Sequence, residues 1–244
     1  MTPSSRKPPT NSSRKPCGSS ELTRIPVGGL DFLADLTGAL YAPDYRALLV
    51  ADLHFEKGSS VARHGVHLPP YDTRATLAAV MAAVERHRPE RLLALGDSFH
   101  DRAAPDRLDA ADRSAIAKLG EAVDVMWITG NHDRSLPASL GGRIAEEIAL
   151  GPVMLRHQPR KLATCEIAGH LHPVAAVTRR GRSVRRKCFI GDGGRLVMPA
   201  FGAYAGGLNV LSAAFEPLFP ERRFQVWMIG GRAIHLFPAD RVSP

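Results

Sequence analysis

The stretch ALLVADLH, residues 47–54, decides how this chain folds, because five apolar residues lead directly into Asp52 and His54. A short apolar run that ends in polar residues is typical of a buried strand. Two later stretches repeat the arrangement: residues 92–95 lead into Asp97, and residues 123–128 lead towards Asn131. Repeated strands of this kind predict an α/β sheet whose functional groups gather at the carboxyl ends of its strands.

Helices are predicted between these strands. Residues 72–87 carry apolar residues at helical spacing, with Asp72 as a plausible N-cap and Pro89 as the stop. A second helix is predicted over about residues 107–119, with Gly120 as its C-cap. The alternation of strand and helix in this half of the chain is typical of an α/β fold.

The second half of the chain changes character and predicts a second sheet. Short strand candidates there are separated by Gly, Pro and Arg turns and occupy residues 153–156, 165–168, 175–178, 184–190, 195–198, 225–229 and 233–237. Together with a hairpin over residues 38–51, they indicate a four-layer α/β/β/α sandwich forming a single domain over residues 23–244. Residues 1–22 are predicted to be a disordered basic tail, since they have almost nothing to bury.

Composition excludes several classes of protein. The 244 residues are 44% hydrophobic and 23% charged, which is typical of a soluble globular protein and disfavours wholesale disorder, collagen and coiled coil. Neither an apolar stretch of about 20 residues nor an apolar signal segment is present, so we expect a soluble, cytoplasmic protein without a membrane partner. Cys17, Cys165 and Cys188 lack Cys-x-x-Cys spacing, which argues against a zinc finger or a disulfide scaffold.

The positive charge of the chain is concentrated in two segments. The formal net charge is +8, with four cations in residues 1–20 and six in residues 179–187; without them it is −2. Such local excess is expected where a phosphate-rich partner is attracted, although a solvated face without a partner is the alternative. The candidate substrate-binding residues are Arg134, Arg179, Arg180, Arg182 and Arg185.

Candidate metal ligands stand where the predicted strands end. They are Asp52, His54, Asp97, Asn131, His157, His170 and His172. Residues i and i+2 of an extended segment point to the same side, so Asp52 with His54, and His170 with His172, are predicted to bind metal as pairs. Carboxylate, imidazole and amide donors without thiolates suit manganese, iron or zinc and disfavour calcium.

The order of these motifs resembles the calcineurin-like metallophosphoesterase superfamily. Its blocks Asp-x-His, Gly-Asp, Gly-Asn-His-Asp, His and Gly-His-x-His occur in order over residues 48–174. The resemblance implies a dinuclear site in which Asp97 bridges the metals and His132 is the catalytic histidine. One metal would be held by Asp52, His54, Asp97 and His172, and the other by Asp97, Asn131, His157 and His170. The chain departs from the family pattern after His157 and has one extra residue before Asp101.

Five further stretches resemble a bacterial subgroup, the DNA-ligase-associated metallophosphoesterases. These stretches occupy residues 49–60, 68–73, 96–101, 169–173 and 199–210. The subgroup is described as ligase-associated DNA damage response endonucleases. The resemblance therefore implies a nucleic-acid substrate, a role in DNA repair, and a DNA ligase and a helicase as partners.

The implied chemistry is hydrolysis of a phosphodiester. Two divalent ions, manganese first with iron or zinc as alternatives, would neutralise the phosphate oxygens and supply a hydroxide for in-line attack. His132 would protonate the leaving oxygen or stabilise its charge. Asp133 or Asp101 is a candidate for holding that imidazole, with an ordinary turn or cap carboxylate as the alternative for each.

Two other functions remain open. One is a phosphoesterase of the same fold that acts on a nucleotide or a phosphoprotein. The other is a scaffold without turnover, which the complete ligand set and the presence of His132 disfavour. Lys57 and Arg63, shortly after the first motif, are interpreted as solvated cations, with contact to substrate phosphate as the alternative.

Overall fold

A computed structural model describes residues 22–244, which form two β-sheets packed face to face. The predicted disordered tail, residues 1–22, lies outside the described residues except for Leu22.

The first sheet has seven strands that follow chain order. They are β1 (Thr23–Val27), β2 (Leu30–Ala34), β3 (Leu40–Ala42), β4 (Ala47–Val50), β5 (Arg91–Leu95), β6 (Asp124–Ile128) and β7 (Arg143–Ala145). Strands β1 to β4 pair antiparallel, whereas β4 to β7 pair parallel. The carboxyl ends of β4, β5 and β6 therefore meet at one edge, and Asp52, Asp97 and Asn131 follow them there.

Helices cover the outer face of the first sheet. They are α1 (Lys57–Ala62), α2 (Asp72–His87), α3 (Ala104–Arg107) and α4 (Ala110–Ala122). Side chains of β4 alternate as a strand requires: Leu48 and Val50 pack among the residues of α2 and α4, whereas Leu49 packs between the sheets. Within the described part of the chain, no helix is both long enough and apolar enough to cross a membrane.

The second sheet has nine strands, including all of the short strand candidates of the second half. They are β8 (Glu147–Leu150), β9 (Val153–Arg156), β10 (Glu166–Ala168), β11 (Pro173–Arg179), β12 (Arg182–Gly191), β13 (Arg195–Val197), β14 (Leu208–Asn209), β15 (Gln225–Ile229) and β16 (Ile234–Pro238). Their path is β14-β11-β12-β13-β10-β9-β8, with β15 on β12 and β16 on β15. Strands β11 and β12 form a hairpin that carries the six cations of residues 179–187, called the basic run below.

Three apolar layers, one between the sheets and one on the outer face of each sheet, confirm the predicted sandwich. The layer between the sheets includes Phe32, Leu93 and Phe189, and a second layer lies under α2 and α4. The third layer covers the outer face of the second sheet with short 3-10 turns such as Ala213–Phe215. All four α-helices of the described residues precede residue 123, so the cover of the second sheet is built of turns and loops.

Two predicted helix caps are wrong. Asp72 is the first residue of α2, and its carboxylate accepts the backbone N–H of Gly58 (3.0 Å) instead of capping the helix. The second predicted helix is divided, because Asp109 interrupts it and caps α4 by accepting the backbone N–H of Asp112 (2.7 Å). Gly120 lies inside α4 instead of after it.

Candidate metal centre

Two groups of imidazole and carboxylate side chains meet at the carboxyl ends of the parallel strands. The first group is Asp52, His54 and His172, and the second is Asp97, His157 and His170. Within each group, one potential ligand atom per residue lies within 4.8 Å of the others. The family resemblance assigns these two sets of residues to two different metals, and the fold brings each set together.

Left-handed backbone turns, and not extended segments, aim these side chains. Asp52 and His54 have φ of +54° and +47°, Asp97 has +46°, and His170 and His172 have +70° and +45°. Residues other than glycine rarely adopt such values, and they cluster at functional sites. The prediction that i and i+2 pair on an extended segment is therefore wrong in its geometry, and His170 and His172 belong to different groups.

The first group places ligand atoms against one another. His54 Nε2 lies 3.2 Å from His172 Nε2, which lies 3.2 Å from Asp52 Oδ1. The Asp52 carboxylate is fully buried and accepts the backbone N–H of His170 (3.0 Å). Burial, followed by the neighbouring His172, lowers the pKa of His54 to about 2. His54 is therefore neutral at pH 7 and keeps a lone pair for a metal.

The second group is oriented by a backbone carbonyl. His157 Nδ1 donates to the carbonyl oxygen of Leu95 (3.1 Å), which leaves Nε2 facing the centre. That nitrogen lies 3.2 Å from Asp97 Oδ2 and 2.9 Å from Asn131 Oδ1. Burial opposes protonation of His157, but the Asp97 and Asp52 carboxylates raise its pKa above the ordinary value.

These donors fit divalent metal ions. In the second group, a proton on His157 Nε2 or a cation between this nitrogen and the two facing oxygens satisfies these atoms. In the first group, the close approach of two imidazole nitrogens to a carboxylate favours a cation among them. One divalent ion in each group would satisfy the ligand atoms of that group at once. The mixture of nitrogen and oxygen donors suits transition metals better than calcium.

Glycines allow the backbone to approach the ligands closely. A Cβ at Gly130 would lie 2.0 Å from Asp97 Oδ1, and a Cβ at Gly96 would lie 2.4 Å from the Cβ of His157. Gly96 also has a φ of +76°. The glycines of the Gly-Asp and Gly-Asn-His-Asp motifs therefore leave room for Asp97 and His157.

His132 lies at the rim of the centre, with its side chain 41% exposed. Its backbone N–H donates to Asp97 Oδ1 (2.9 Å), and its Nδ1 donates to the carbonyl oxygen of His100 (2.7 Å). A carbonyl oxygen only accepts, so this contact fixes the proton on Nδ1. The free nitrogen, Nε2, lies 3.9 Å from Asp97 Oδ2 and is available to substrate.

The two carboxylates considered as partners of His132 make other contacts. Asp133 is buried and accepts the backbone N–H groups of Gly130 (2.8 Å) and Phe99 (3.1 Å), and burial raises its pKa. Asp101 pairs with Arg107 (2.6 Å), whose guanidinium holds the pKa of Asp101 well below its usual range. The His100 carbonyl, and neither carboxylate, lies at His132 Nδ1.

His100 belongs to the site, although it was not predicted as a site residue. Its ring stacks on His132, with 5.3 Å between centroids, and its Nδ1 lies 3.2 Å from His54 Nδ1. Burial lowers the pKa of His100 to about 4, so the ring is neutral at pH 7. Its position three residues after the ligand Asp97 is the one feature of the sequence that indicates a place in the site.

Two lysines near the metal centre were also not predicted to be part of the site. Lys57 is half-buried, contrary to its interpretation as a solvated cation, and burial lowers its pKa. Lys187 Nζ donates to the carbonyl oxygens of Ala200 (2.7 Å) and Gly202 (3.1 Å), and burial lowers its pKa as well. Nothing in the sequence separates Lys187 from the rest of the basic run.

The candidate substrate-binding arginines lie in two places. Arg134 lines a cavity of about 320 Å³ that also contains Asn131 and His157, so it adjoins the second group. The other four, Arg179, Arg180, Arg182 and Arg185, are exposed on the β11–β12 hairpin, whose first strand begins directly after His172.

A buried ion network supports the loop that follows His157. Glu166 is fully buried between Arg156 and Arg195, at 2.6 Å from each. Arg195 also donates to the carbonyl oxygens of Arg160 (2.6 Å) and Ala163 (2.9 Å). The network therefore ties β10 to the loop that carries the cavity beside the second group.

Glu166→Gln is expected to lower the free energy of unfolding by about 3–5 kcal/mol, because two buried guanidiniums lose their counter-charge. Urea denaturation followed by circular dichroism measures the change. The matched control is Glu85→Gln on the exposed side of α2, which should change stability by less than about 0.5 kcal/mol. A similarly small loss in Glu166→Gln would contradict a supporting role for the network.

Comparisons with known proteins agree with this geometry. A family model described as calcineurin-like phosphoesterase matches residues 45–195, a range that includes all seven candidate ligands. Among solved structures, the nuclease MPE of Pseudomonas putida is 31% identical with a TM-score of 0.71, covering 88% of this chain and 100% of that chain. The phosphoesterase Yfce of E. coli is 13% identical with a TM-score of 0.39, over 79% of this chain and 98% of that one, which is too low to support a conclusion. No curated protein sequence matches this chain.

Proposed function

The chain belongs to the calcineurin-like phosphoesterase family, and from this membership we propose that it is a dinuclear phosphodiesterase that cleaves nucleic acid. Membership makes it a metal-dependent phosphoric ester hydrolase. The observation that carries the proposal is the convergence of the two ligand groups beside His132. The choice of nucleic acid is supported by the similarity to a nuclease over most of the chain.

We assign the ligands as the family pattern suggests. Asp52, His54 and His172 would hold one ion, Asn131, His157 and His170 would hold the other, and Asp97 would be available to both. When bound, two divalent ions neutralise phosphate oxygens and lower the pKa of a water molecule towards neutrality. Manganese is the proposed metal, with iron or zinc as alternatives.

His132 acts on the leaving group in this proposal. Its Nδ1–H stays bound to the His100 carbonyl, which orients the ring and leaves Nε2 facing substrate. A proton on Nε2 passes to the leaving oxygen as the P–O bond breaks, and the ring ends as the neutral Nδ1–H tautomer. Asp133 contributes by holding the turn that carries His132, through its contacts with Phe99 and Gly130.

The cations supply affinity for a long polyanion. Arg134 lies beside the second group, and the arginines of the hairpin provide positive charge on a body that is otherwise slightly acidic. Each phosphate that a cation contacts releases counterions, which favours binding. By family resemblance, we propose an endonuclease of DNA repair that works in the cytoplasm alongside a DNA ligase and a helicase.

The test uses the metal-stripped protein with manganese, iron, zinc or magnesium added in turn. Substrates are an aryl phosphodiester, circular single-stranded DNA, linear duplex DNA, RNA, a mononucleotide and a phosphopeptide. We expect no hydrolysis without metal and the fastest hydrolysis with manganese. Linearisation of the circular strand identifies endonucleolytic cleavage.

Three results would count against the proposal. Unchanged hydrolysis in excess chelator would remove the metals from the reaction. Faster hydrolysis of the mononucleotide or the phosphopeptide than of the circular strand would favour the rival phosphoesterase function. No hydrolysis of any substrate with any metal would favour the scaffold.

A further inference from the structure

The basic run is divided between the two faces of the β11–β12 hairpin. Successive side chains of a strand point to opposite faces, so Arg182 and Arg186 share one face, whereas Arg185 and Lys187 share the other. Arg179 lies opposite Arg182 in the pairing register, so it joins the first face. Arg185 and Lys187 donate to backbone carbonyls of residues 200–207, on the side of the metal centre.

The face that carries Arg182 and Arg186 contains an apolar cavity. The cavity has a volume of about 370 Å³. Its apolar lining comes from Val177, Val184, Met228 and Phe237, and Val184 is 45% exposed. Val177, Met228 and Phe237 belong to the third apolar layer or pack against it, whereas Val184 lies outside that layer. We call this cavity, together with Arg179, Arg182, Arg186 and His235 around it, the hairpin groove.

The arginines of the hairpin groove lack counter-charges. Arg179 and Arg182 are directly opposite in an antiparallel pair, an arrangement in which like charges are destabilising. Among residues 22–244, no carboxylate forms an ion pair with Arg179, Arg182 or Arg186. Three clustered guanidiniums and an exposed apolar surface are both unfavourable in isolation. An anionic ligand with flat apolar parts relieves both.

We propose that the hairpin groove binds a single strand of nucleic acid, with phosphates on the arginines and bases on the apolar lining. This inference rests on the proposed nuclease function and extends it to a binding site on a different face of the hairpin from Lys187. A single strand fits because its bases are free to leave the stack and contact an apolar surface, whereas a duplex keeps them inside.

The hairpin sets the distance between the groove and the metal centre. Strand β11 begins directly after the ligand His172 and reaches Arg179 seven residues later. At about 3.3 Å per residue the strand spans roughly 20 Å. If the part of the strand between the two sites stays stacked, it advances about 3.4 Å along its axis per nucleotide and covers that length with roughly six nucleotides. Substrates shorter than this cannot occupy both sites.

The first experiment measures kcat and KM for single-stranded oligonucleotides of 3 to 15 nucleotides. In the wild type, we expect KM to fall by about tenfold once the strand exceeds roughly six nucleotides, with little change in kcat. The triple variant Arg179→Gln, Arg182→Gln and Arg186→Gln should lose this dependence on length. Its salt dependence for the long strand should become shallower by about two in the log–log slope, since three phosphate contacts are lost.

The matched control removes three cations elsewhere. Arg46→Gln, Arg88→Gln and Lys118→Gln change the net charge equally, and all three residues lie in the half of the chain that forms the first sheet and its helices. This variant should keep the length dependence of the wild type. If both triple variants lose the dependence of KM on strand length equally, general electrostatic attraction explains it, and the inference is overturned.

The second experiment tests the apolar lining. An abasic oligonucleotide of 15 residues should bind about tenfold more weakly than a thymidine strand of the same length in the wild type. The difference should shrink in Val184→Ser, whose melting temperature confirms folding. Equal binding of both strands to the wild type would make the groove a plain polyanion site.

The outcomes separate this inference from the proposed function. A wild type that hydrolyses the aryl phosphodiester but no oligonucleotide would end the nuclease function and the groove with it. A wild type that cleaves oligonucleotides with no dependence on length would leave the nuclease function standing and overturn the groove. A third outcome would assign the groove to a protein partner. In that case the triple arginine variant keeps the KM of the wild type for oligonucleotides, and an acidic apolar peptide binds the wild type but not the variant.

Discussion

Asp97→Asn is expected to remove both metal ions together and to lower phosphodiester hydrolysis by at least about 10³-fold, since each metal supplies several kcal/mol of charge stabilisation. Asp97 Oδ2 lies 3.2 Å from His157 Nε2, and Oδ1 accepts the backbone N–H of His132. An amide keeps the shape of the side chain but lacks the charge and offers one acceptor oxygen. Metal content after gel filtration, measured by mass spectrometry, reports the loss directly.

Two comparison variants make this result specific. His54→Ala removes a ligand of the first group only and should chiefly reduce one metal. Asp124→Asn changes an exposed carboxylate at the start of β6, the opposite end of that strand from the site, and should keep both metals. Equal metal content in the wild type and in Asp97→Asn would remove Asp97 from the shared position.

His132→Ala is expected to keep both metals bound while turnover falls by roughly 10²- to 10⁴-fold, the range typical of a positioned general acid. The side chain of His132 contacts the His100 carbonyl through Nδ1 and is 41% exposed, so its loss leaves the ligand groups in place. Metal analysis and kcat measured on the same preparation check both parts of the prediction.

The leaving group decides how His132 acts. A nitrophenolate needs little protonation, whereas the alkoxide of a nucleic-acid strand needs much, so the loss in His132→Ala should be smaller for the aryl diester. A series of aryl diesters with leaving groups of increasing pKa gives the dependence. A uniform loss across the series would assign His132 to charge stabilisation in place of proton donation.

Much of the fold was predictable because the central elements have strong periodic patterns. The helix predicted over residues 72–87 agrees with α2, and the strand predicted over residues 92–95 agrees with β5 to within one residue. These elements bury one or both faces, so their apolar spacing is regular. The β1–β2 hairpin was not predicted, although Gly28 and Gly29 between two short runs are a hairpin signal.

The members of the metal groups were predictable from the sequence, but their geometry was not. Order and residue type indicated the set of ligands, whereas the family resemblance supplied their division into two groups; spacing alone paired His170 with His172, which lie in different groups. The contact between His132 and the His100 carbonyl could not be predicted, since every residue offers a carbonyl and only the fold selects one. The left-handed turns at Asp52 and His54 were equally hidden, because propensity disfavours them.

The left-handed turns at the ligands lower the stability of the fold while they position the groups needed for activity. A residue other than glycine at positive φ costs about 1–2 kcal/mol, and five candidate ligands are in that conformation: Asp52, His54, Asp97, His170 and His172. Glycine would relieve the strain at each position and remove the ligand, so no amino acid provides both. A library of variants sorted for thermostability in chelator therefore drifts away from catalysis at these positions first. Engineering a more robust enzyme from this chain has to spare the five and seek its gains in the helices and edge strands.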